Sequence, residues 1–404
     1  MRDYKKVIAT TYAGLEDVLA GELEKLKFRN VQVLRRAVSF SASLEEIYKA
    51  NYCLTTALKI LVPVRTFKIS GSDDLYNRCK EIHWESFFNV TKTFAVQHTV
   101  FSDIFKNTMF ASLRLKDAIV DRFREIESKR PSVDTKRPDV VINLHISGNE
   151  CNISLDSSGE SLHKRGYRIE NHIAPISEVL AAGMLKLSGW TGESVLMDPM
   201  CGSGTIVIEA AMMAAGIRPG EVGRKYSFQS WDNYSPEIFK KIEEDIHHKP
   251  LKFPIYGSDI LKENIKKSIV NAQEAGVDDI VLFDNADFFK SENKKNIPFL
   301  MFNPPYGERM EDGDDLFYQQ IGDSLKNYYH DCQAWIISTK ECLKSLGLKP
   351  SKKIPLFNGP LECSFRKYEM YSGSRKWKKQ MPSDDKHNVL SDNKREILSE
   401  DKKN

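Results

Sequence analysis

Two kinds of hydrophobic pattern divide the chain. In the first part, short runs with strand alternation are interleaved with segments whose apolar residues recur at helical spacing. The predicted strands lie at 7–11, 31–40, 58–67, 93–101, 140–146 and 151–155, and the predicted helices at 14–27, 44–51, 73–82 and 107–128. Strand, helix, strand, helix over residues 1–55 predicts a small ferredoxin-like α+β unit.

The second part repeats one unit, a short apolar strand that leads through a turn into an amphipathic helix. The strands are predicted at 194–197, 253–256, 277–283, 298–302, 334–338, 352–357 and 362–371, and the helices at 177–187, 206–215, 261–275 and 315–329. This alternation predicts an open α/β sheet. In such sheets ligands bind at the carboxyl ends of the strands.

The turn after the strand at 298–302 carries Asn303, Pro304, Pro305 and Tyr306. Two prolines cannot continue a ladder, so the strand must end there and project the amide and the ring at the sheet edge. The amide oxygen and proline carbonyls can accept hydrogen bonds from an amino group, and the tyrosine can stack on a base. The turn therefore predicts a site for an extruded base that carries an exocyclic amino group. The alternative is a proline-stopped strand followed by an ordinary tight turn.

A glycine-containing turn runs from Asp198 to Thr205 and leads into a helix. Gly202 and Gly204 allow the backbone to approach a ligand closely, and the start of the helix favours an anionic group. Val207 stands where a dinucleotide-binding turn has its third glycine, and no lysine follows as in a phosphate-binding P-loop. A ligand with both a carboxylate and an ammonium group, such as S-adenosylmethionine, fits this turn, with the aspartate placed to hold the amino group.

Acidic residues end the next two strands. Asp259 is placed to bind ribose hydroxyls, to cap the helix that follows, or to do both, and Asp287 is placed to reach an adenine edge. Cys201, within the glycine turn, has no neighbouring general base, so we interpret it as a small loop residue rather than a nucleophile. Four ligand-facing strand ends in one order form a consistent pattern.

Composition limits the remaining possibilities. The length of 404 residues predicts two or three domains. The hydrophobic share of 41% is enough for cores, and a charged share of 28% is ordinary. Because the net charge is only +3, any nucleic-acid site must come from local clustering of basic residues. Seven scattered cysteines without metal-ligand spacing favour a reducing cytoplasm over a disulfide framework, and we expect no bound metal. No apolar run is long enough to span a bilayer, and the N-terminus lacks the apolar core of a signal peptide.

Basic residues cluster in two places. Lys129, Arg130, Lys136 and Arg137 flank a predicted loop, and we interpret them as contacts for a nucleic-acid backbone. Arginines on the preceding helix alternate with acids and are better explained as a solvated face. The segment 163–168 contains Lys164, Arg165 and Arg168; it is a charged linker, a nucleic-acid contact, or a contact with the back of the cofactor pocket.

Two motifs resemble those of a known family. The sequences at 198–205 and 303–309 are similar to the motifs of THUMP-containing RNA methyltransferases, and most similar to the bacterial large-subunit rRNA guanine-N2 methyltransferase family. The segments 163–168 and 358–363 also resemble that subfamily. The resemblance extends over residues 4–371. It implies a ferredoxin-like domain at 1–55, a THUMP RNA-binding domain at 56–158 and a Rossmann-like methyltransferase domain at 159–373. Residues 374–404 include few apolar and many charged residues, and this composition predicts a disordered tail.

The resemblance also implies roles for individual residues. The base amino group is assigned to Asn303, Pro304, Pro305 and Tyr306. S-Adenosylmethionine is assigned to Asp198, Met200, Cys201, Gly202, Gly204, Thr205, Asp259, Ile260, Asp287 and Phe288. Some relatives carry a second methyltransferase domain, whose modification is not implied here. Two alternatives stay open: methylation of adenine N6 in RNA or DNA, and a non-catalytic RNA-binding or ribosome-assembly factor.

Overall fold

The computed structural model describes residues 3–168, 176–291, 297–306 and 314–372. Two seven-stranded sheets organise these residues. The predicted tail at 374–404 and the last part of the second motif, at 307–309, lie outside the described ranges. Among the helices that the structure describes, none is both long and apolar enough to cross a membrane.

The first sheet contains both predicted N-terminal units. Its strands are β1 (Asp3–Thr10), β2 (Arg29–Leu34), β3 (Ala37–Ser43), β4 (Lys59–Lys68), β5 (Phe94–Phe101), β6 (Val140–Ser147) and β7 (Glu150–Asp156), in the order β2-β3-β1-β4-β7-β6-β5. Its helices are α1 (Glu16–Lys25), α2 (Leu44–Cys53), α3 (Ser72–Lys80) and α4 (Thr108–Glu127). β4 pairs with β1 on one side and with β7 on the other. The ladder therefore runs unbroken across the proposed boundary between residues 55 and 56.

The arginines of α4 are engaged with acidic neighbours. Arg122 lies 2.7 Å from a carboxylate oxygen of Glu85, and Arg114 lies 2.8 Å from one of Asp73. Hydrogen bonding to Arg122 holds the pKa of Glu85 at about 2, well below its usual range. These pairs agree with the interpretation of the helix as a mixed-charge solvated face rather than a phosphate-binding surface.

The second sheet is the open α/β sheet that the pattern predicted, and its strand order is that of a doubly wound fold. Its strands are β8 (Leu196–Asp198), β9 (Ile255–Asp259), β10 (Val281–Asn285), β11 (Phe299–Phe302), β12 (Gln333–Ser338), β13 (Lys352–Asn358) and β14 (Leu361–Glu369). The order is β10-β9-β8-β11-β12-β14-β13; the first five strands are parallel, and β14 and β13 are antiparallel to their neighbours. The helices are α5 (Glu178–Ser188), α6 (Thr205–Ala215), α7 (Pro236–Glu244), α8 (Lys262–Glu274), α9 (Asp314–Tyr328) and α10 (Cys342–Ser345). The strand order reverses between β8 and β11, which is where doubly wound sheets bind ligands.

The segment between α6 and β9 joins the two halves. Phe228 stacks on Tyr48 of α2 with ring centroids 4.3 Å apart, and Tyr226, Trp231 and Phe239 are buried in the same core as the first sheet. Aromatic side chains of this size dominate the apolar area that they bury. This segment of the second domain therefore completes the hydrophobic core of the first.

Candidate active site

One cavity of about 620 Å³ opens at the carboxyl edge of the second sheet. Its volume lies in the range of small-molecule sites. Residues from the ends of β8, β9, β10 and β11 line it together. The cavity therefore brings the four predicted strand ends into one site, at the point where the strand order reverses. Ten of the predicted residues form part of the wall: Met200, Cys201, Gly202, Thr205, Asp259, Ile260, Asp287, Phe288, Asn303 and Pro305.

The two glycines of the turn have different local roles. Gly202 has φ +56°, and a Cβ placed on it would meet no atom within 4 Å, so its backbone borders open space at the cavity. Gly204 has φ +84°, and a Cβ there would come within 3.1 Å of Ser268 Cβ on α8. Gly202 thus permits a ligand to approach the backbone, whereas Gly204 permits α6 and α8 to pack closely.

Asp259 organises the cavity floor. Its buried carboxylate accepts the Gly202 N–H at 3.0 Å, the Leu261 N–H at 2.9 Å and the side-chain amide of Asn264 at 3.0 Å. A carboxylate has about four lone-pair directions, so one acceptor position remains for a ligand hydroxyl. The helix-start contact and ribose binding are therefore compatible at this residue.

Two neighbours of Asp259 belong to the same part of the site: Ile260, which the sequence analysis assigned to the cofactor, and Asn285, which it did not. The Asn285 amide donates to the backbone carbonyls of Asp259 and Ile260, both at 2.9 Å. The side chain of Ile260 is 63% exposed on the cavity wall. An apolar shelf held by backbone hydrogen bonds suits the face of a planar ligand.

Asp198 lies behind the glycine turn and is only 2% exposed. It accepts the Met200 N–H at 3.0 Å, and it is not among the described residues that line the cavity. Burial raises the pKa of Asp198 well above its usual range, and the nearby Asp259 carboxylate adds to this effect. The observed contact shapes the turn, so direct contact with a cationic ligand group stays a prediction.

Asn303, a residue of the cavity wall, has an unsatisfied hydrogen-bond acceptor. Its side-chain oxygen is buried, and no hydrogen-bond donor reaches it from anywhere in the structure's described part. A buried acceptor without a partner costs about 1–3 kcal/mol. A ligand that donated a hydrogen bond here would recover that free energy.

The rest of the proline turn is held from outside the cavity. The Tyr318 hydroxyl donates to the Pro305 carbonyl at 3.1 Å and lies 2.6 Å from the Ser338 hydroxyl. Pro304 is buried. Pro304 is not among the described residues that line the cavity, so the assignment of the amino group to it stays a prediction.

The structure corrects the role of Tyr306. Its ring is only 4% exposed, and its hydroxyl accepts hydrogen bonds from the Asn358 amide at 2.8 Å and from Cys363 Sγ at 3.7 Å. The ring is part of the hydrophobic core and is not among the described cavity-wall residues. The expectation that it presents a stacking face to a base is wrong in this conformation; Tyr306 anchors the turn to the β13–β14 hairpin.

The assignment of Arg165 to an RNA contact is also wrong. This side chain is 1% exposed, and its guanidinium lies 3.3 Å from a Glu209 carboxylate oxygen of α6. It also donates to the backbone carbonyls of Leu162 and Thr55. Opposite charge within hydrogen-bonding distance is what allows an arginine to be buried. Arg165 therefore links the first domain to α6.

Arg168 also points inward. It donates to the Thr205 hydroxyl at 2.9 Å and to the Ile176 carbonyl at 3.2 Å, and it pairs with Glu178 at 3.2 Å. Thr205 and Ile176 both line the cavity. Of the interpretations of this segment, contact with the back of the cofactor pocket agrees with the structure for Arg168, and contact with RNA does not.

The other five basic residues are exposed. Lys164 pairs with Glu160 at 3.1 Å. Lys129, Arg130, Lys136 and Arg137 lie in the loop between α4 and β6. In that loop the Asp134 carboxylate accepts the backbone N–H groups of two of them, which lowers the pKa of Asp134 and fixes the turn. All five remain predicted RNA contacts.

Family models match three successive parts of the chain. A ferredoxin-like domain model of the RlmL type matches residues 6–61, a THUMP domain model matches 70–156, and the methyltransferase domain model described as RMKL-like matches 165–367. The last match contains all of the described residues that line the cavity.

Individual proteins are similar over most of the chain. A ribosomal RNA large subunit methyltransferase K/L of Psychromonas ingrahamii is 37% identical over 89% of this chain and 49% of its own length. A candidate RNA methyltransferase of Synechocystis sp. is 36% identical over 90% of this chain and 96% of its own. The crystal structure of SMU.472, a candidate methyltransferase complexed with SAH, has a TM-score of 0.82, 27% identity and coverage of 93% of this chain and 100% of that one. The chain thus spans about half the length of the K/L relatives.

Proposed function

The chain belongs to the RMKL-like methyltransferase family, and from that membership we propose that it methylates the exocyclic N2 amino group of a guanine in large-subunit ribosomal RNA. The methyl donor is S-adenosylmethionine. The observation that carries this proposal is the unsatisfied side-chain oxygen of Asn303, a residue that lines the same cavity as the glycine turn. The K/L names of several relatives support the ribosomal target.

The cavity residues fit this methyl donor. The open backbone at Gly202 suits close approach of the methionine part, the remaining acceptor direction of Asp259 suits the ribose, and the exposed Ile260 suits the adenine face. When bound, S-adenosylmethionine supplies an electrophilic methyl group on a sulfonium centre. The similar protein SMU.472 was crystallised with SAH (S-adenosylhomocysteine), the thioether that remains after S-adenosylmethionine has lost its methyl group, which supports this assignment.

The proline turn performs the positioning. Asn303 accepts one amino hydrogen and the Pro304 carbonyl accepts the second, so the nitrogen lone pair is directed towards the methyl group. Holding two reacting groups in line replaces a bimolecular encounter and lowers the barrier without a covalent intermediate. The Tyr318 and Asn358 contacts keep the turn in this position.

The first domain supplies the grip on RNA in this proposal. A THUMP domain model matches residues 70–156, and the exposed basic loop between α4 and β6 lies within that range. Lysine and arginine side chains there would contact phosphates, which gives affinity without base specificity. The aromatic packing of Phe228 on Tyr48 holds this domain against the catalytic one, so the two sites keep a fixed separation.

The direct test uses ribosomal RNA from a strain that lacks the gene. Incubation with the purified protein and S-adenosylmethionine is expected to add N2-methylguanosine to the large-subunit RNA, detected by nucleoside analysis and mapped by primer extension. The matched control is Asn303→Ala, which is expected to methylate the RNA roughly 5- to 150-fold more slowly than the wild type. Appearance of another methylated nucleoside would contradict the guanine assignment.

Adenine N6 is the second candidate target, because the Asn303 oxygen would accept a hydrogen bond from either amino group. The same nucleoside analysis separates the two, since this alternative gives N6-methyladenosine. A protein without catalytic activity would show neither product and no calorimetric binding of S-adenosylmethionine.

A further inference from the structure

The cavity contains an aromatic residue that the motifs did not indicate. Phe317, near the start of α9, is half-buried and lines the cavity together with Asn303 and Pro305. Tyr306, by contrast, is buried in the core with its hydroxyl bonded to Asn358. Phe317 is therefore placed to contact a ligand in the cavity, whereas the ring of Tyr306 is not.

Contacts on both sides hold Phe317 in place. Its ring meets Phe289 at 5.4 Å and 85°, and the adjacent Tyr318 at 5.8 Å and 74°. Tyr318 is in turn tied to the Pro305 carbonyl. The start of α9 is thus attached to the same turn that carries Asn303, so the ring and the amide have a fixed relation.

Phe317 lines the cavity without a parallel-stacked ring among its described neighbours. Both aromatic neighbours meet it nearly edge to face, and among the described residues no ring is stacked parallel on it. Phe288 differs, because it is buried and stacks on Tyr329 at 5.2 Å and 24°. Phe289 follows Asp287 at the end of β10, on the adenine side, whereas Phe317 lies on the element that follows the proline turn.

We propose that Phe317 packs on the face of the target base, and that Tyr306 is a positioning residue that anchors the proline turn. The assignment rests on the proposed function. Stacking of a base on an aromatic side chain is sequence-tolerant, because every base has a π face, so Phe317 would hold the base while Asn303 reads its amino group. Loss of such a ring weakens binding of the base by roughly ten- to a hundredfold.

The test compares Phe317→Leu, Phe317→Tyr and the control Leu316→Ala, whose side chain is 67% exposed on the same turn of α9. For each, kcat and KM for large-subunit RNA are measured at saturating S-adenosylmethionine, and the affinity for SAH is measured by calorimetry. We expect Phe317→Leu to lower kcat/KM for RNA on the order of tenfold or more with SAH affinity within about twofold of wild type. Phe317→Tyr keeps a ring and is expected to retain most activity, and Leu316→Ala all of it.

Two outcomes overturn the assignment. One is a Phe317→Leu variant that methylates RNA as well as the wild type does. The other is a loss of SAH affinity as large as the loss of kcat/KM, which would place the ring against the cofactor. Should the leucine variant not fold, Phe317→Met replaces it, because methionine fills irregular space without a ring. If the wild-type protein transfers no methyl group to RNA, the proposed function itself is overturned. That result differs from failure of the Phe317 assignment, in which the wild type is active and the leucine variant is equally active.

Discussion

Replacing Asn303 by alanine should have opposite consequences for activity and for stability. In the ligand-free protein the Asn303 oxygen is buried and lacks a described donor. Removing it eliminates a desolvated acceptor worth about 1–3 kcal/mol, and this gain offsets the packing contacts that the side chain loses. The free energy of unfolding is therefore expected to stay within about 1 kcal/mol of the wild type or to rise.

The same replacement leaves the amino group of the bound base without its acceptor. An unpaired buried donor costs about 1–3 kcal/mol, which corresponds to a loss of methyl transfer of roughly 5- to 150-fold. SAH affinity should hardly change, because the cofactor is assigned to other residues of the wall. Transfer of labelled methyl groups to ribosomal RNA, calorimetric titration with SAH and urea unfolding measure the three quantities.

Asn327→Ala is the control, since Asn327 is exposed near the end of α9 and is not among the described residues that line the cavity. It should behave as the wild type in all three measurements. The reasoning is refuted if Asn303→Ala retains transfer within about twofold, or if it loses SAH affinity in proportion to transfer. A large loss of stability would show that the amide serves the fold and not the ligand.

Four further predictions follow from single contacts. Tyr306→Phe removes the acceptor of the Asn358 amide and should destabilise the protein by about 1 kcal/mol in urea unfolding; an unchanged midpoint would contradict the anchor. Arg165→Met leaves the buried Glu209 carboxylate without its charged partner and should lower the free energy of unfolding by about 3–5 kcal/mol. The double variant Arg165→Met, Glu209→Gln should recover much of that loss. Equal stability of the single and the double variant would contradict a stabilising buried ion pair. Burial raises the pKa of Glu178 from 4.5 to about 6. Protonated Glu178 therefore adds roughly 2 kcal/mol to the free energy of unfolding below pH 4.5, and this stabilisation is lost as the pH rises through 6. Glu178→Gln should make the free energy of unfolding less dependent on pH over this interval. Lys136→Ala with Arg137→Ala should weaken RNA binding and reduce its salt dependence, measured by filter binding, whereas Lys352→Ala with Lys353→Ala on β13 should do neither; equal effects of the two pairs would contradict the assignment of the loop.

The ends of the strands could be predicted from the sequence because the residues that mark them are neighbours in the chain. Alternating apolar residues mark the strands, and glycine or proline marks the point where each must stop. In a parallel sheet those ends meet at one edge, so Gly202, Asp259, Asp287 and Asn303 could be placed together before any coordinates. Side-chain partners distant in the chain were not accessible in this way.

Tyr306 and Arg165 show what the sequence did not provide. Tyr306 follows two prolines at a turn, which suggests an exposed ring, but the groups that bury it are Asn358 and Cys363, more than fifty residues later. Arg165 lies in a basic segment, and no residue near it in the sequence indicates that it pairs with Glu209 of α6. Burial of polar groups depends on tertiary pairing, which composition and periodicity do not encode.

The candidate site also contains residues that could not be predicted from the sequence. Phe317 and Asn285 were not assigned from any motif, and each contacts neighbours that only the fold brings close. Phe317 appears in sequence as one apolar position of an amphipathic helix, where the expected fate is the core. Its place on the wall follows from the attachment of α9 to the proline turn through Tyr318.

The most direct measurement is a crystal structure of the protein with SAH and a guanine-containing fragment of its ribosomal RNA. The account predicts SAH against Gly202 and Asp259, and an extruded guanine whose N2 atom lies within about 3 Å of the Asn303 side-chain oxygen. A base bound elsewhere, or an Asn303 side chain turned away from it, would contradict the account.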